Sequence, residues 1–168
     1  NDLWGGTAAT DRNVYVEGAT YGGEAVAGFP AAGVAVMAHI GFTPQSEHVL
    51  GGYRVQGRGA GAAERMTVSA RALEAAGAFA VLMEMVPSDV AAAVDAALRV
   101  PTVGIGAGPG TTGQVLVWQD MLGLREGRVP RFVRQYARLH EVVGDAVRAY
   151  RADVLDGAFP APEHGFEG

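Results

Sequence analysis

Five short apolar runs, each closed by turn residues, constrain what this chain can fold into more than any other feature. They are Val14–Val16 ending at Glu17-Gly18, and Val34–Met37 ending at His39-Ile40-Gly41. Next come Phe79–Met83 ending at Glu84-Met85-Val86-Pro87, and Pro101–Ile105 ending at Gly106-Ala107-Gly108. The last is Gln114–Trp118, ending near Asp120. The runs are nearly all apolar rather than alternating, the pattern of strands buried on both faces of a parallel sheet. Helical stretches lie between them. Ala62 to Ala76 is rich in Ala, holds no Pro, and stops at Gly77, which suits a left-handed cap. Ser88 reads as the N-cap of a helix over Asp89 to Leu98 that ends before Pro101. Thr43-Pro44 reads as N-cap and first position of a short helix. Val143, Ala146, Val147, Tyr150 and Val154 fall at helical spacing, and Gly157 closes that helix. The expectation is an α/β chain of five βα-like units in one domain over 1–168. Residues 1–12 fit no element, and 158–168, with Pro160 and Pro162, form a surface arm or a disordered tail.

Composition excludes several classes. The chain has 168 residues, a formal charge of −5 and a pI near 5.3, so it offers no basic platform for nucleic acid. It has no Cys, which removes disulfides and Cys-ligated metal. It also has no Lys, and all 13 basic side chains are Arg. No apolar run is long enough to span a membrane and no signal segment opens the chain, so a cytoplasmic protein is expected. Asn1 in place of an initiator Met suggests a processed product or a piece of a longer protein.

The polar residues that could do chemistry sit where the strands end: Glu17, His39, Glu84, the Gly-rich turn 104–108 and Asp120. Sites in parallel α/β folds form at the C-terminal ends of strands. Glu84 follows five apolar residues directly. Burial would raise its pKa and suit it to take a proton from carbon. The alternative is a structural acid bonded to backbone amides or to an Arg. His39 has the same placement and reads as a substrate ligand or as a hydrogen-bonded structural His. Glu17 is either a metal-shell carboxylate or an exposed turn acid. The run 104–108 lacks the spacing of a dinucleotide fingerprint. The glycine-rich stretch Gly51–Gly59 reads as a mobile loop over a site or as a plain surface loop. Arg125, Arg128, Arg131, Arg134 and Arg138 read as a solvated helix face.

The stretch Met37-Ala38-His39-Ile40-Gly41-Phe42-Thr43-Pro44-Gln45-Ser46, followed by Gly51-Gly52-Tyr53-Arg54-Val55-Gln56-Gly57-Arg58, resembles the signature of the ketopantoate hydroxymethyltransferase family. Further matches follow in order at Leu73–Ala78, Leu82–Pro87, Ile105–Gly108, Gly113–Asp120, Phe159-Pro160 and Glu163-His164. The resemblance runs from about Val14 to Phe166. It implies a (β/α)8 TIM barrel, of which this chain covers about strands 4 to 8 as a partial barrel, and a large homo-oligomer, usually a decamer. It implies transfer of a hydroxymethyl group from 5,10-methylenetetrahydrofolate to 3-methyl-2-oxobutanoate, giving 2-dehydropantoate in pantothenate biosynthesis, with Mg²⁺ stabilising an enolate. By the same resemblance Glu84 removes the C3 proton, His39 contacts the substrate and Glu17 takes the metal-shell position. Tyr15 stands where the family carries Lys. The family's two metal-site Asp, at the ends of strands two and three, have no counterpart in the matched stretch. Two other readings follow from that: a non-catalytic truncated or degenerate paralogue that associates with another chain, and a related 2-oxo acid lyase or aldolase.

Overall fold

The computed structural model describes residues 20–21, 24–25, 35–166 and 168. The expected strand at Val14–Val16, the start of the second run at Val34, and the segment 1–12 lie outside the described residues. The chain divides into two compact units, 1–115 and 116–168.

In the first unit, β1 (Thr20–Tyr21) and β2 (Glu24–Ala25) pair antiparallel. A parallel sheet then runs in sequential order through β3 (Met37–Gly41), β4 (Ala80–Glu84), β5 (Thr102–Ile105) and β6 (Gly113–Gln114). The helices are α1 (Glu47–Leu50), α2 (Ala62–Ala75) and α3 (Ser88–Ala97), so the unit is α/β. The register aligns Gly41 with Glu84 and Glu84 with Ile105. Alternation along the strands sends Ala38, Ile40, Val81 and Met83 to one face. There they bury against Ala70 and Leu73 of α2 and Val90, Ala91 and Val94 of α3, each helix contributing residues three or four apart. The other face carries Ala80 and Ile105, which are buried, and His39, Leu82, Glu84 and Val103, which are only partly so. The all-apolar runs lead to an expectation of burial on both faces; among the described residues one face meets it throughout and the other at Ala80 and Ile105.

Local signals explain most of the ends. Thr43 is the N-cap and Pro44 the first residue of a single 3₁₀ turn that leads into α1, as expected. At the end of α2, Gly77 has φ +98. The Gly77 N–H donates to Glu74 O at 2.9 Å and the Ala78 N–H to Leu73 O at 3.1 Å, the paired bonds of a Schellman cap. The expected N-cap at Ser88 is corrected. Pro87 is the cap, Ser88 is already helical, and no side chain caps the helix. Pro87, at φ −54 and ψ 140, is the last residue outside the helix; a Cβ on Gly108 would meet Ser88 Oγ at 2.1 Å, so the Gly-rich turn packs directly on Ser88.

Two carboxylates brace the unit. Glu74 Oε1 accepts the N–H groups of Arg99 at 2.6 Å and Val100 at 3.0 Å, joining the end of α2 to the connection before β5. These bonds, that from Arg99 foremost, hold its carboxyl below the usual range. At the N-terminal end of the sheet, Asp95 Oδ1 accepts the hydroxyl of Thr102, and then the hydroxyl and N–H of Thr112 at 2.9 and 3.1 Å. The Thr102 hydroxyl foremost, then Thr112, lowers the Asp95 pKa from its ordinary 3.8. A lowered folded-state pKa adds stability that is complete above the ordinary value and is lost as pH falls through the folded one. Thr102 is fully buried. Asp95→Ala, which strands its hydroxyl, is therefore expected to cost about 1–3 kcal/mol near pH 7. Urea titrations at pH 7 and below pH 3.8 check this: the gap to wild type should narrow in acid, and a gap that widens would refute it.

In the second unit, α4 (Trp118–Met121) and α5 (Leu139–Asp156) flank an irregular stretch. Tyr136 N–H donates to Met121 O at 2.8 Å, Leu139 N–H to Leu122 O at 2.9 Å and His140 N–H to Gly123 O at 3.0 Å. Gly157, at φ +72, closes α5 as expected. The Arg series is solvated but not on a helix face: Arg125 to Arg134 lie in the irregular stretch and Arg138 only precedes α5. The tail turns back on α5, with the Phe159 ring edge-on to Tyr150 at 5.5 Å and tilted on His164 at 4.9 Å. No helix among the described residues is long and apolar enough to cross a membrane.

Candidate active site

The parallel register gathers two of the sequence-derived residues at the C-terminal end of the sheet. His39 pairs with Leu82, and Glu84 lies two residues beyond Leu82 on the same strand, so both side chains leave the same face. His39 Nε2 lies 3.2 Å from Glu84 Oε2, with the two side chains 28% and 16% exposed. The distance suits an ion pair, but the angle is not that of a hydrogen bond. The buried Nε2 has no hydrogen-bond partner among the described residues. A buried polar atom without a partner costs about 1–3 kcal/mol, and this one is placed to bond an incoming ligand.

The backbone around Glu84 is tightly held. Gly41 closes β3 at φ +89, and a Cβ on it would fall 2.2 Å from Glu84 O and 2.7 Å from Val86 Cγ2. This close crossing lets Phe42 N–H donate to Glu84 O at 2.8 Å. The next residue, Met85, has φ +51 and is the one non-glycine at positive φ among the described residues. For an L-residue that conformation costs roughly 1–2 kcal/mol. Two bonds offset it: Met85 N–H donates to Ile105 O at 2.9 Å, and Gln56 N–H donates to Met85 O at 2.9 Å. The glycine-rich loop is thus tied by Gln56 to the residue after the carboxylate. Its Tyr53 ring stacks on the buried Phe42 ring at 4.8 Å.

Gly41 was legible as a strand exit; Met85 and Gln56 lie in the matched motifs, but nothing there marked a left-handed turn, because Met does not favour that region. Asp120 is placed in α4 of the second unit. Glu17 and Tyr15 lie outside the described residues. No three of His, Cys, Asp or Glu come together as a metal cage among the described residues. At this spot one carboxylate meets one imidazole. These two side chains by themselves do not fit Mg²⁺, a hard ion that takes oxygen ligands in octahedral geometry, and Glu17 lies outside the described residues, so no step below runs through a metal.

Comparison with known proteins places the chain in a family. The family model described as ketopantoate hydroxymethyltransferase matches residues 7–162. A 3-methyl-2-oxobutanoate hydroxymethyltransferase of Paenarthrobacter aurescens (strain TC1) is 64% identical over 153 residues, covering 91% of this chain and 50% of the relative. Proteins of the same name from Nocardioides sp. (strain ATCC BAA-499 / JS614) and Streptomyces coelicolor are 66% and 60% identical over 134 and 132 residues. They cover 80% and 79% of this chain, and 45% of each relative. The chain spans about half the length of the curated relatives it matches. With the motif residues His39 and Glu84 meeting at one strand end and a family match over most of its length, the chain belongs to the ketopantoate hydroxymethyltransferase family.

Proposed function

We propose that this chain carries the proton-transfer half of a hydroxymethyl transfer to 3-methyl-2-oxobutanoate, the reaction for which its relatives are named. One observation carries this reading: a carboxylate and an unpartnered buried imidazole nitrogen meet at the C-terminal end of the parallel sheet. Glu84 takes the C3 proton of the 2-oxo acid and becomes the carboxylic acid. The electron pair moves to the keto oxygen, giving an enolate. His39, in the tautomer with hydrogen on Nε2, donates to a substrate oxygen and opposes the charge that develops there. Water adds to the methylene of 5,10-methylenetetrahydrofolate and both of its carbon–nitrogen bonds break, releasing tetrahydrofolate and formaldehyde; the enolate carbon bonds the formaldehyde carbon, its oxygen takes the proton held by Glu84, and 2-dehydropantoate forms.

The finer parts of the reading come from the family resemblance. They are a (β/α)8 barrel with this chain as about strands 4 to 8, Mg²⁺ with Glu17 in its shell, a homo-oligomer, and a cytoplasmic place in pantothenate biosynthesis. The parallel strand order supports the first of these, since sequential parallel neighbours are what a barrel of this kind needs.

Deuterium exchange at C3 tests the proposal. Proton NMR of 3-methyl-2-oxobutanoate in deuterated water, with Mg²⁺ and the purified chain, is expected to show loss of the C3 signal above a Glu84→Gln control. Equal rates with and without the carboxylate would overturn the reading for this chain.

A further inference from the structure

Met85 holds a conformation that Met does not choose by itself, and it does so directly after the carboxylate. Its contacts come from two sources. Ile105 O, which takes its N–H, belongs to the neighbouring strand and is fixed by the sheet. The Gln56 N–H, which donates to its carbonyl, belongs to the loop 51–61. That loop has Gly51, Gly52, Gly57, Gly59 and Gly61 all at positive φ, and a Cβ on Gly52 or Gly59 would meet nothing within 4 Å. A strained residue persists only where its surroundings over-determine it. Here one of the two contacts on Met85 comes from a loop.

We infer that Met85 is a positioning residue that makes the placement of Glu84 conditional on the loop, through the Gln56–Met85 backbone hydrogen bond. With the bond made, the left-handed turn is retained and the carboxylate faces His39. With the loop lifted, the turn relaxes to a region ordinary for Met and the carboxylate swings away from His39. Proton abstraction is then confined to the closed loop, which also excludes water from the enolate. Glycine at 85 would hold the same turn without strain, so it would remove the dependence on the loop. The inference rests on the role of Glu84 given above.

The test is a double-mutant cycle with two readouts: the His39 ring proton signal at one pH, and C3 exchange. The Glu84→Gln protein marks the His39 signal with the carboxylate lost. Gln56→Pro, which deletes the N–H, is expected to move the His39 signal toward that mark. It should also slow exchange roughly 10- to 100-fold, the scale of a misplacement of about 1 Å. Adding Met85→Gly should return both readouts toward wild type. Should Gln56→Pro not fold, Gly57→Ala takes its place with the same expectations. An L-residue is strained at φ +87, which is expected to shift the loop backbone there, while Met66 Cε, 3.1 Å from the new Cβ, can give way. A double variant no better than the single one would overturn the inference, as would a wild-type His39 signal in the single variant. If the His39 signals follow the cycle while no protein exchanges C3, the conditional placement stands and the proposed reaction falls.

Discussion

Glu84→Gln is expected to lower C3 proton exchange by about 10²- to 10⁴-fold, the usual contribution of a positioned general base, with the unfolding transition nearly unmoved. The amide has the shape of the carboxylate but cannot take a proton at neutral pH. A structural acid would behave differently, because removing its charge would strand the groups it held. Glu84 holds none: among the described residues its carboxylate accepts no backbone N–H and meets no Arg, and its contact is His39. The substitution therefore separates the two readings that the sequence left open. Exchange rates and urea midpoints measured on the same preparations check it. A variant that unfolds early while keeping its exchange rate would return Glu84 to a structural role.

Gly41→Ala is expected to destabilise the first unit by roughly 2–5 kcal/mol, the sum of a left-handed L-residue and an overpacked contact. The Cβ would fall 2.2 Å from a backbone oxygen, which cannot rotate away as a flexible side chain would. Relief requires pulling β3 from β4 at the point where Phe42 N–H reaches Glu84 O. Gly52→Ala is the control. It shares the positive φ, at +94, but its Cβ would meet nothing within 4 Å, so it carries only the conformational cost. Urea unfolding of the three proteins separates the effects. A Gly41→Ala loss no larger than that of Gly52→Ala would show that the strand ends can part freely.

Where sequence signals were local and chemically distinct, they were legible. Gly77 as a Schellman cap, Thr43-Pro44 as a helix start and Gly157 as a helix end each follow from one residue's backbone freedom or restriction. Placing His39 and Glu84 at strand ends followed from counting apolar residues, with small shifts at the boundaries. The second run ends in a strand over Met37–Gly41, so His39 lies within β3 rather than after it, and Glu84 is the last residue of β4. The fifth run shows where counting fails. Gln114–Trp118 read as one strand, but β6 is only Gly113–Gln114, and Val117 O instead accepts the N–H groups of Asp120 and Met121 to start α4. A short apolar run does not separate strand from helix. The pairing does, and it extends only from Val103–Gly113 to Gly104–Gln114, with one further bond from Val115 N–H to Gly104 O.

The sequence by itself therefore determined the α/β class and the family, and it put His39 and Glu84 at strand ends, because strand periodicity and motif order are written in one dimension. The tertiary structure decided the 3.2 Å meeting of His39 with Glu84, the left-handed turn at Met85 and the reach of Gln56 to it. Each depends on register between segments tens of residues apart. A backbone hydrogen bond leaves no mark on the side chains that make it, since every residue but Pro carries the same N–H and C=O.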